Sequence, residues 1–424
     1  MNPSASAITT GPILRSAWPM LLALIAGFAM SQAFRTVPAI VAGPLQQDFA
    51  LTPQQLGAFA GMFHLAFGGL QLLMGMGIDV WGPRRTVLAV SPLAVAGALL
   101  ATFAPGYQTL LLAQALIGVG CAPAFVVCTV FIARRFAPER FAAVSGATLG
   151  LGSVGMLLTG TPLAWLIQHA SWRAGFLALA GGAALAWLAI ALVVRDAPQQ
   201  PAQDATSAQG AQRPGMLQAL AGYGALFRLP HTWGIVTLGA VTYASYMALR
   251  GLWLGPLLLE RHGFSLVGSG NVVLAASALS IVAPPLLGRL DPGDLRRRRW
   301  IIAGTLGMAA LFAAMALTRS VAVDVGATLA ISLATAVIVL QYTDVKAAYP
   351  AHMTGRAMAV FTMAMFLGVA LAQWLTGVAA SVAQLAGLEV YASVLGAIAL
   401  LLVAAAAAFR CLPAPPATSA PVRR

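Results

Sequence analysis

The chain carries very little charge. Of its 424 residues, 8% are Asp, Glu, Lys or Arg, whereas 60% are hydrophobic. A soluble protein of this size has roughly 25% charged residues, so a soluble globular protein is excluded. Apolar runs of about 18 residues or more recur from end to end, and each is long enough to cross a bilayer as a helix. A β-barrel is excluded because barrel strands alternate polar and apolar residues. The composition predicts an all-α membrane protein.

Acidic residues and cysteine are also scarce. The chain has 11 acidic residues against 24 basic ones, which gives a net charge of +13. In a membrane protein the position of the basic loops accounts for such an excess, so no nucleic-acid partner is expected. Cys121, Cys128 and Cys411 have neither a disulfide framework nor metal-ligand spacing, and we interpret them as small core residues. We expect no metal and no cofactor.

Twelve apolar runs divide into two groups of six. The first six spans cover about 17–42, 55–76, 86–105, 109–133, 142–168 and 173–194. Spans seven to twelve cover about 231–258, 266–289, 300–318, 324–349, 356–380 and 390–410. Between the groups, RDAPQQPAQDATSAQGAQRPG has no helical periodicity and predicts a flexible linker. The predicted domains are an N-terminal six-helix bundle (1–195), a cytoplasmic linker (196–228) and a C-terminal six-helix bundle (229–424).

The arginines predict the orientation. If both termini are cytoplasmic, 18 arginines fall in inside loops and tails, and only Arg173, Arg261 and Arg319 fall outside. Cytoplasmic loops of membrane proteins carry such an excess of basic residues. We therefore expect a multi-pass protein of the bacterial cytoplasmic (inner) membrane with both termini in the cytoplasm.

The loop between spans two and three, GMGIDVWGPRR, carries a motif. Gly75, Asp79, Gly82, Arg84 and Arg85 have the spacing of the signature loop of the major facilitator superfamily. The segments RRFAPERFAAVSG and ASWRAGF resemble that superfamily too. The resemblance implies twelve transmembrane helices in two pseudo-symmetric six-helix bundles that work by alternating access. It also implies that these loop residues form a conformational latch, in which Asp79 faces the start of span eleven.

Three features depart from the superfamily pattern. The second-half loop, GRLDPGDLRRRR, is compressed and only loosely similar to the first. Gln114 stands in span four where the superfamily usually has an arginine, and the glycine–proline pattern of drug exporters is only partly present in span five. These departures weigh against a proton-driven drug exporter.

Two arginines lie inside spans, Arg35 in span one and Arg250 in span seven. Because a charge in hydrocarbon is costly, each is a functional candidate. Both precede a Gly-Pro pair and are predicted about 8 Å outward of the midplane, at matching depth. A guanidinium binds carboxylate or phosphate with two parallel hydrogen bonds, so we predict an anionic substrate held between them. The pattern resembles the superfamily's sugar-phosphate and organic-anion carriers. The alternative is that the arginines snorkel to the outer headgroups.

Neighbours on the same helices complete the predicted substrate site. Tyr243, Tyr246 and Trp253 share one face of span seven with Arg250, because they are spaced 3, 4 and 3 residues apart. Gln32 lies one turn before Arg35 in span one.

Three further residues are candidates for proton coupling. His64 lies on a stripe of small residues in span two that is predicted to meet the stripe of Ala364, Gly368 and Ala372 in span eleven. Its imidazole can carry a proton near neutral pH, and the alternative is a neutral, hydrogen-bonded ring. Asp344 and Lys346 lie at the end of span ten, on different sides of the helix. The alternative to proton coupling is that they belong to a structural charge network.

These patterns favour a secondary active transporter of a small organic anion, either a carboxylate or a phosphate ester. Coupling stays open between proton symport and anion exchange. The alternatives are a proton-coupled efflux pump for drugs or metabolites and, in another class, a transporter-like sensor. We do not expect an enzyme, because no nucleophile–base set or phosphate loop is recognisable. The expected partners are the small anion, a proton or counter-anion and the lipid bilayer, with the protein acting as a monomer.

Overall fold

The computed structural model describes residues 12–195, 223–287 and 292–413, and every regular element within those ranges is helical. Most of the predicted linker, 196–228, lies outside the described residues, so the domain division stays a prediction. The end of that segment forms a short 3₁₀ helix, Ala225–Arg228.

The first half contains six spans, most of them built from two helices. Span six is Trp172–Val193. The other five are Pro12–Phe34 with Pro38–Phe49, Pro53–Gly69 with Gln71–Trp81, Pro83–Val90 with Pro92–Thr102, Tyr107–Cys121 with Ala124–Arg135, and Pro138–Leu158 with Thr161–His169. Many of these helices begin with proline at the first or second position, where a missing N–H costs no helical hydrogen bond.

The second half repeats this arrangement. Span seven runs from Pro230 to Arg261 and includes π-helical turns at Leu249–Trp253 and Leu257–Arg261. The remaining spans are Leu266–Leu287, Asp294–Leu317, Val321–Ala334 with Val337–Ala348, Ala351–Leu385 and Val390–Cys411. In the described part of the chain, the eleven spans other than span seven are long and apolar enough to cross a membrane.

The glycines that directly precede spans three and nine have the same backbone conformation. Gly82 has φ 86° and ψ 162°, and Gly293 has φ 78° and ψ 167°, values that glycine adopts readily. After each glycine an arginine reaches the last turn of its half: Arg84 donates to the Ala191 carbonyl at 3.0 Å, and Arg298 donates to the Phe409 carbonyl at 2.9 Å. In the described residues, the two halves thus share this glycine conformation and this arginine contact, although the two loop sequences are only loosely similar.

We call the end of the bundle that holds these loops the basic end. At the other end, which we call the opposite end, glycines bring the two halves into close contact. A Cβ atom at Gly57 would lie 2.3 Å from the Gln373 carbonyl oxygen, and one at Gly255 would lie 1.8 Å from the Ala39 carbonyl oxygen. Toward the basic end, a Cβ atom added at Gly75 or Gly355 would have no neighbouring atom within 4 Å.

The hydrophobic core shows the same asymmetry. One cluster of buried apolar side chains includes residues of both halves, among them Phe59 and Leu252. Two further clusters of the described residues are each confined to one half: one contains Phe131, and the other contains Phe361. The halves therefore share a core toward the opposite end and pack separately toward the basic end.

Span eleven meets span two through a different stripe from the predicted one. Its Phe366, Ala370 and Gln373 face the glycines of span two. A Cβ atom at Gly368 would instead lie 2.1 Å from the Ala240 carbonyl oxygen in span seven. The prediction that Gly368 faces span two is therefore wrong, because span eleven packs against two neighbours and hydropathy does not show which face meets which.

Candidate functional site

A cavity of about 160 Å³ lies between the two halves. Its polar lining comes from both of them: Gln32, Ser153, Thr242, Tyr243, Tyr246, Ser280, Thr335 and Gln341. Three of the predicted substrate residues, Gln32, Tyr243 and Tyr246, thus line one space.

Arg35 lies in the break of span one. Pro38 cannot donate a backbone hydrogen bond to the carbonyl of Phe34, so the helix stops at Phe34 and resumes at Pro38. Thr36 uses its hydroxyl to bond carbonyls of the preceding turn, at 3.3 Å from that of Gln32. The break therefore holds Arg35 at a fixed position beside the cavity rather than in a regular helical turn.

The guanidinium of Arg35 lies between aromatic rings. Its central carbon is 5.0 Å from the ring centre of Phe67 and 4.8 Å from that of Phe366, so spans two and eleven both contribute. Its Nη1 donates to the hydroxyl of Tyr243 at 3.3 Å. Because Tyr243 also lines the cavity, Arg35 lies directly behind the cavity wall.

The charge of Arg35 has no carboxylate partner within the described ranges, where the ion pairs involve other residues. Arg35 is 6% exposed, and its Nε is buried without a hydrogen-bond partner. Aromatic faces attract a desolvated cation with roughly 2 kcal/mol, which offsets only part of the cost of burial. The site thus holds a cation that an anion would stabilise.

Arg250 has a different environment. It is fully buried, and its Nε donates to the Ser277 hydroxyl at 2.8 Å. Its Nη2 donates to the Met156 carbonyl at 2.9 Å and to the Thr159 hydroxyl at 3.3 Å. Met156 lies in the last turn of the helix Pro138–Leu158, whose terminal carbonyls carry partial negative charge. Arg250 therefore links span seven to a helix end of the other half, and it does not line the cavity.

The two arginines are not at equivalent positions. Aligning spans one and seven on their Gly-Pro pairs also aligns Asp48 with Glu260, each five residues after its glycine. Asp48 accepts a hydrogen bond from Trp172 in span six, and Glu260 accepts one from Tyr391 in span twelve, so this alignment matches the contacts. Arg35 then lies eight residues before its glycine and Arg250 five. In this alignment the two arginines are offset by three residues, and their matching depth stays a prediction.

Trp253 lies apart from the tyrosines. Its indole Nε1 donates to the Thr376 hydroxyl at 2.9 Å, and its side chain lines a separate cavity of about 400 Å³ toward the opposite end. The π-helical turn at Leu249–Trp253 changes the rotation per residue, so the spacing argument that grouped Trp253 with Tyr246 does not hold across it.

His64 is fully buried where spans two and eleven meet. Its Nδ1 lies 3.3 Å from the Ala60 carbonyl oxygen. Its ring is stacked on Phe366 with the centroids 6.5 Å apart, and Phe366 is also the ring that packs on Arg35. A proton on His64 would add a second buried cation close to Arg35, without a carboxylate from the described residues to balance it. This environment favours the neutral ring.

Asp344 and Lys346 point to different sides of span ten. Asp344 is buried beside Gln341, Phe361 and Phe409, whereas Lys346 is exposed. Gln341, one turn before Asp344, lines the central cavity. Asp344 is therefore near the cavity without lining it.

For the latch residues, the structure describes the backbone and most side chains. Gly75 has open space around it, Gly82 has the positive φ noted above, and Arg85 is exposed. The Asp79 side chain lies outside what the structure describes, so the latch stays a prediction.

Sequence reasoning did not identify several residues of the cavity wall. Thr242 and Gln341 bond each other across spans seven and ten at 3.0 Å, and Gln32 bonds Ser153 across spans one and five at 3.5 Å. In the sequence, such residues are recognisable only as polar residues inside an apolar span. That signal is ambiguous, because such residues also join helices structurally.

Comparison with known proteins gives the family. The model of the Major Facilitator Superfamily matches residues 20–373. The chain belongs to this superfamily. The resemblance noted in the loop before span three is thereby confirmed, and membership supports the prediction that the protein is not an enzyme.

Relatives in the superfamily have different named roles. The chain is 26% identical over 236 residues to a probable sulfoacetate transporter of Cupriavidus necator, covering 53% of this chain and 54% of that protein. It is 24% identical over 200 residues to the hexuronate transporter of Bacillus subtilis, covering 46% and 47%. It is 29% identical over 287 residues to a lincomycin resistance protein of Streptomyces lincolnensis, covering 63% and 57%. The chain thus spans about half the length of these curated relatives.

Solved structures show the same fold over nearly the whole chain. A bacterial homologue of the human lysosomal transporter Spinster, in an inward-facing and unoccupied conformation, superposes with a TM-score of 0.74 at 19% identity, covering 93% of this chain and 96% of that one. The D-xylose–proton symporter gives a TM-score of 0.74 at 15% identity, covering 95% and 99%. The predicted fold, twelve helices in two six-helix bundles, is confirmed.

Proposed function

We propose that this protein is a secondary active transporter that moves a small organic anion across the membrane by alternating access. The main supporting observation is Arg35, a buried cation without a carboxylate partner in the described structure, which lies directly behind the wall of the cavity between the halves. Relatives named for sulfoacetate and hexuronate support a carboxylate or similar anion as substrate.

In this proposal the anion binds the guanidinium of Arg35 in place of the Tyr243 hydroxyl. Gln32, Tyr243 and Tyr246 then hold the rest of the substrate. Arg250, which the sequence analysis placed in the same site, instead joins the halves through Met156 and Thr159 of span five. Trp253 donates to Thr376 of span eleven, within the second half, and lines the separate cavity toward the opposite end.

The transport cycle requires the two ends to open in turn. The halves share a core toward the opposite end, and by the excess of arginine the basic end faces the cytoplasm. In this proposal the conformation described is the inward-facing one. We propose that Gly75, Asp79, Gly82, Arg84 and Arg85 close the basic end in the other conformation.

A proton-coupled efflux pump is the second candidate, because two relatives are a lincomycin resistance protein and a puromycin resistance protein. Two features of the site weigh against it. The cavity of about 160 Å³ is smaller than the roughly 300–1,000 Å³ typical of sites for drug-sized molecules. A lipophilic cation would also meet repulsion from Arg35.

Ligand-dependent thermal unfolding of the purified protein tests the proposal. The ligand panel contains small monocarboxylates, dicarboxylates, phosphate esters and lipophilic cations. We expect at least one class of anion to raise the midpoint, since a ligand that binds only the folded state stabilises it, and we expect no effect of the cations. Stabilisation by lipophilic cations alone would favour the efflux pump instead.

A matched pair of variants shows where the anion binds. Arg35→Ala should lose the anion-dependent rise, whereas Arg140→Ala, which removes an exposed arginine at the basic end, should keep it. An unchanged anion response in Arg35→Ala would contradict the assignment of Arg35.

A further inference from the structure

We infer that Thr36 and Thr159 are positioning residues for Arg35. Their hydroxyl groups join the break of span one to the break of span five, and this contact fixes the segment from which the Arg35 side chain projects. Neither threonine lines the central cavity, so neither is a ligand of the substrate. The inference deepens the proposed function and rests on it where the anion is concerned.

The two hydroxyl groups form a short hydrogen bond that is fully buried. The Oγ1 atoms of Thr36 and Thr159 are 2.6 Å apart, and both residues are 0% exposed. Thr36 lies in the break between Phe34 and Pro38 of span one. Thr159 directly follows the helix Pro138–Leu158, where span five is interrupted. Because a helix end leaves backbone groups without helical partners, the contacts of such side chains hold the chain in place.

Arg250 extends this contact to span seven. Its Nη2 donates to the Thr159 hydroxyl at 3.3 Å, so that one hydroxyl bonds both span seven and span one. The backbones of these two spans also meet here, since a Cβ atom at Gly251 would lie 3.8 Å from the Arg35 carbonyl oxygen. Gly251 belongs to the π-helical turn Leu249–Trp253, and such turns are frequent at functional sites. Three irregular segments thus meet around Thr159.

The position of Thr36 limits where Arg35 can lie. The Cα atoms of neighbouring residues are about 3.8 Å apart, so a fixed Thr36 also fixes the start of the Arg35 side chain. The guanidinium end is held by the rings of Phe67 and Phe366 and by the Tyr243 hydroxyl. A grip on a carboxylate with two parallel hydrogen bonds depends on the direction of the guanidinium plane. A loose break would therefore weaken anion binding while the cavity wall stays in place.

Hydrogen exchange tests whether the pair holds the break. Thr159→Val removes the hydroxyl and keeps the branched shape, whereas Thr159→Ser keeps the hydroxyl. The matched control is Thr305→Val, because Thr305 is also fully buried but bonds the Ile301 carbonyl of its own helix at 2.8 Å. The measurement is deuterium uptake by the peptide of residues 31–42 in the purified protein without ligand. We expect faster uptake in Thr159→Val, and uptake at the wild-type rate in Thr159→Ser and Thr305→Val.

Anion affinity tests whether the pair acts through Arg35. The probes are sulfoacetate and D-glucuronate, because relatives are named for sulfoacetate and hexuronate, and titration calorimetry measures their binding. We expect Thr159→Val to weaken binding roughly threefold to tenfold, the effect of one lost hydrogen bond. Thr159→Ser and Thr305→Val should bind as the wild type does.

The partner residue gives an independent check. Thr36→Val should weaken anion binding as Thr159→Val does, although it leaves the bond between Arg250 and Thr159 intact. The double variant should lose no more affinity than the weaker of the two single variants, since both remove the same contact. Additive losses would show that the two threonines act separately. Thr36→Val also decides the inference if Thr159→Val does not fold.

The outcomes separate the inference from the proposal beneath it. Unchanged deuterium uptake in Thr159→Val would overturn the inference, whether or not an anion binds. Faster uptake with wild-type affinity would overturn the positioning of Arg35 and leave an anion transporter in place. If the wild type binds neither probe nor any anion of the ligand panel, the proposed function fails. Deuterium uptake needs no ligand and would still decide whether the pair holds the break.

Discussion

At the scale of the residue, the surroundings of the two arginines give them different roles. Arg35 packs between Phe67 and Phe366 and has one hydroxyl partner in the described structure. Arg250 donates from its Nε and Nη2 to a carbonyl and two hydroxyls, and its Nη1 is buried without a hydrogen-bond partner. A single charge-assisted hydrogen bond is worth roughly 1.5–3 kcal/mol, so the count of partners decides which cation remains available to a ligand.

Replacing Tyr243 with phenylalanine removes the hydroxyl that faces Arg35 and the cavity. We expect Tyr243→Phe to weaken anion binding by roughly tenfold, because one hydrogen bond near a charged group is lost and the ring is kept. Titration calorimetry with the anion from the ligand panel measures the change. The control is Tyr342→Phe, which removes a hydroxyl bonded to Thr362 outside the cavity. Equal affinities in the two variants would exclude Tyr243 as a substrate ligand.

At the scale of the element, the contact between spans two and eleven depends on glycine. A Cβ atom at Gly57 would meet the Gln373 carbonyl at 2.3 Å, whereas one at Gly69 on the same helix would meet nothing within 4 Å. The two positions form a matched pair, since each tests the same added methyl group in the same helix.

We expect Gly57→Ala to shift the protein away from the conformation closed at the opposite end, because backbone atoms cannot yield as a flexible side chain can. The readout is maleimide labelling of a cysteine placed at Gln46, which lines the cavity near the opposite end, in a Cys411→Ser background. Labelling should become faster in Gly57→Ala and stay unchanged in Gly69→Ala. Equal rates in both would show that this contact does not control closure.

Arg250 joins spans seven and five through hydrogen bonds to Met156 and Thr159. Arg250→Gln should leave the Met156 carbonyl and the Ser277 hydroxyl with weaker partners, at a cost of about 1–3 kcal/mol. We therefore expect it to lower the unfolding midpoint more than Arg35→Gln does. Arg35→Gln should in turn lose more anion affinity than Arg250→Gln does. If one variant showed the larger loss in both measurements, the two arginines would not have separate roles.

The sequence predicts the spans better than their breaks. Among the described residues, hydropathy identifies eleven of the twelve spans, all except span seven, because each must cover about 30 Å of hydrocarbon with apolar residues. It does not register the π-helical turn at Leu249–Trp253, and past such a turn the helical spacing no longer gives the face. That is why Tyr243 and Tyr246 line the central cavity, whereas Trp253 lines a separate one and Arg250 lines neither of the two.

At the scale of the whole molecule, the halves share a core toward the opposite end and have separate cores toward the basic end, as the proposed alternating cycle requires of one of its states. The pseudo-symmetric pairs Gly82 with Gly293 and Asp48 with Glu260 show that both halves are built alike. The central cavity lies between the halves and is lined by residues of both.

Proton coupling, if it drives the cycle, is expected to involve Asp344 rather than His64. His64 is buried next to Arg35 without a described carboxylate, whereas Asp344 lies one turn from the cavity wall at Gln341. In proteoliposomes with an imposed pH gradient, Asp344→Asn should lose accumulation of the anion yet retain exchange, and His64→Gln should retain both. Accumulation left intact in both variants would exclude coupling through these two residues.

The central claim is that Arg35 binds the negative charge of the substrate, and the affinity of Arg35→Lys tests it most directly. Lysine keeps the charge but lacks the planar fork that grips a carboxylate with two hydrogen bonds. We predict that affinity for the anion falls sharply in Arg35→Lys, and by roughly tenfold to a hundredfold in Arg35→Ala. An arginine that only snorkels toward the headgroups would tolerate lysine. An affinity of Arg35→Lys within about twofold of the wild type would contradict the account.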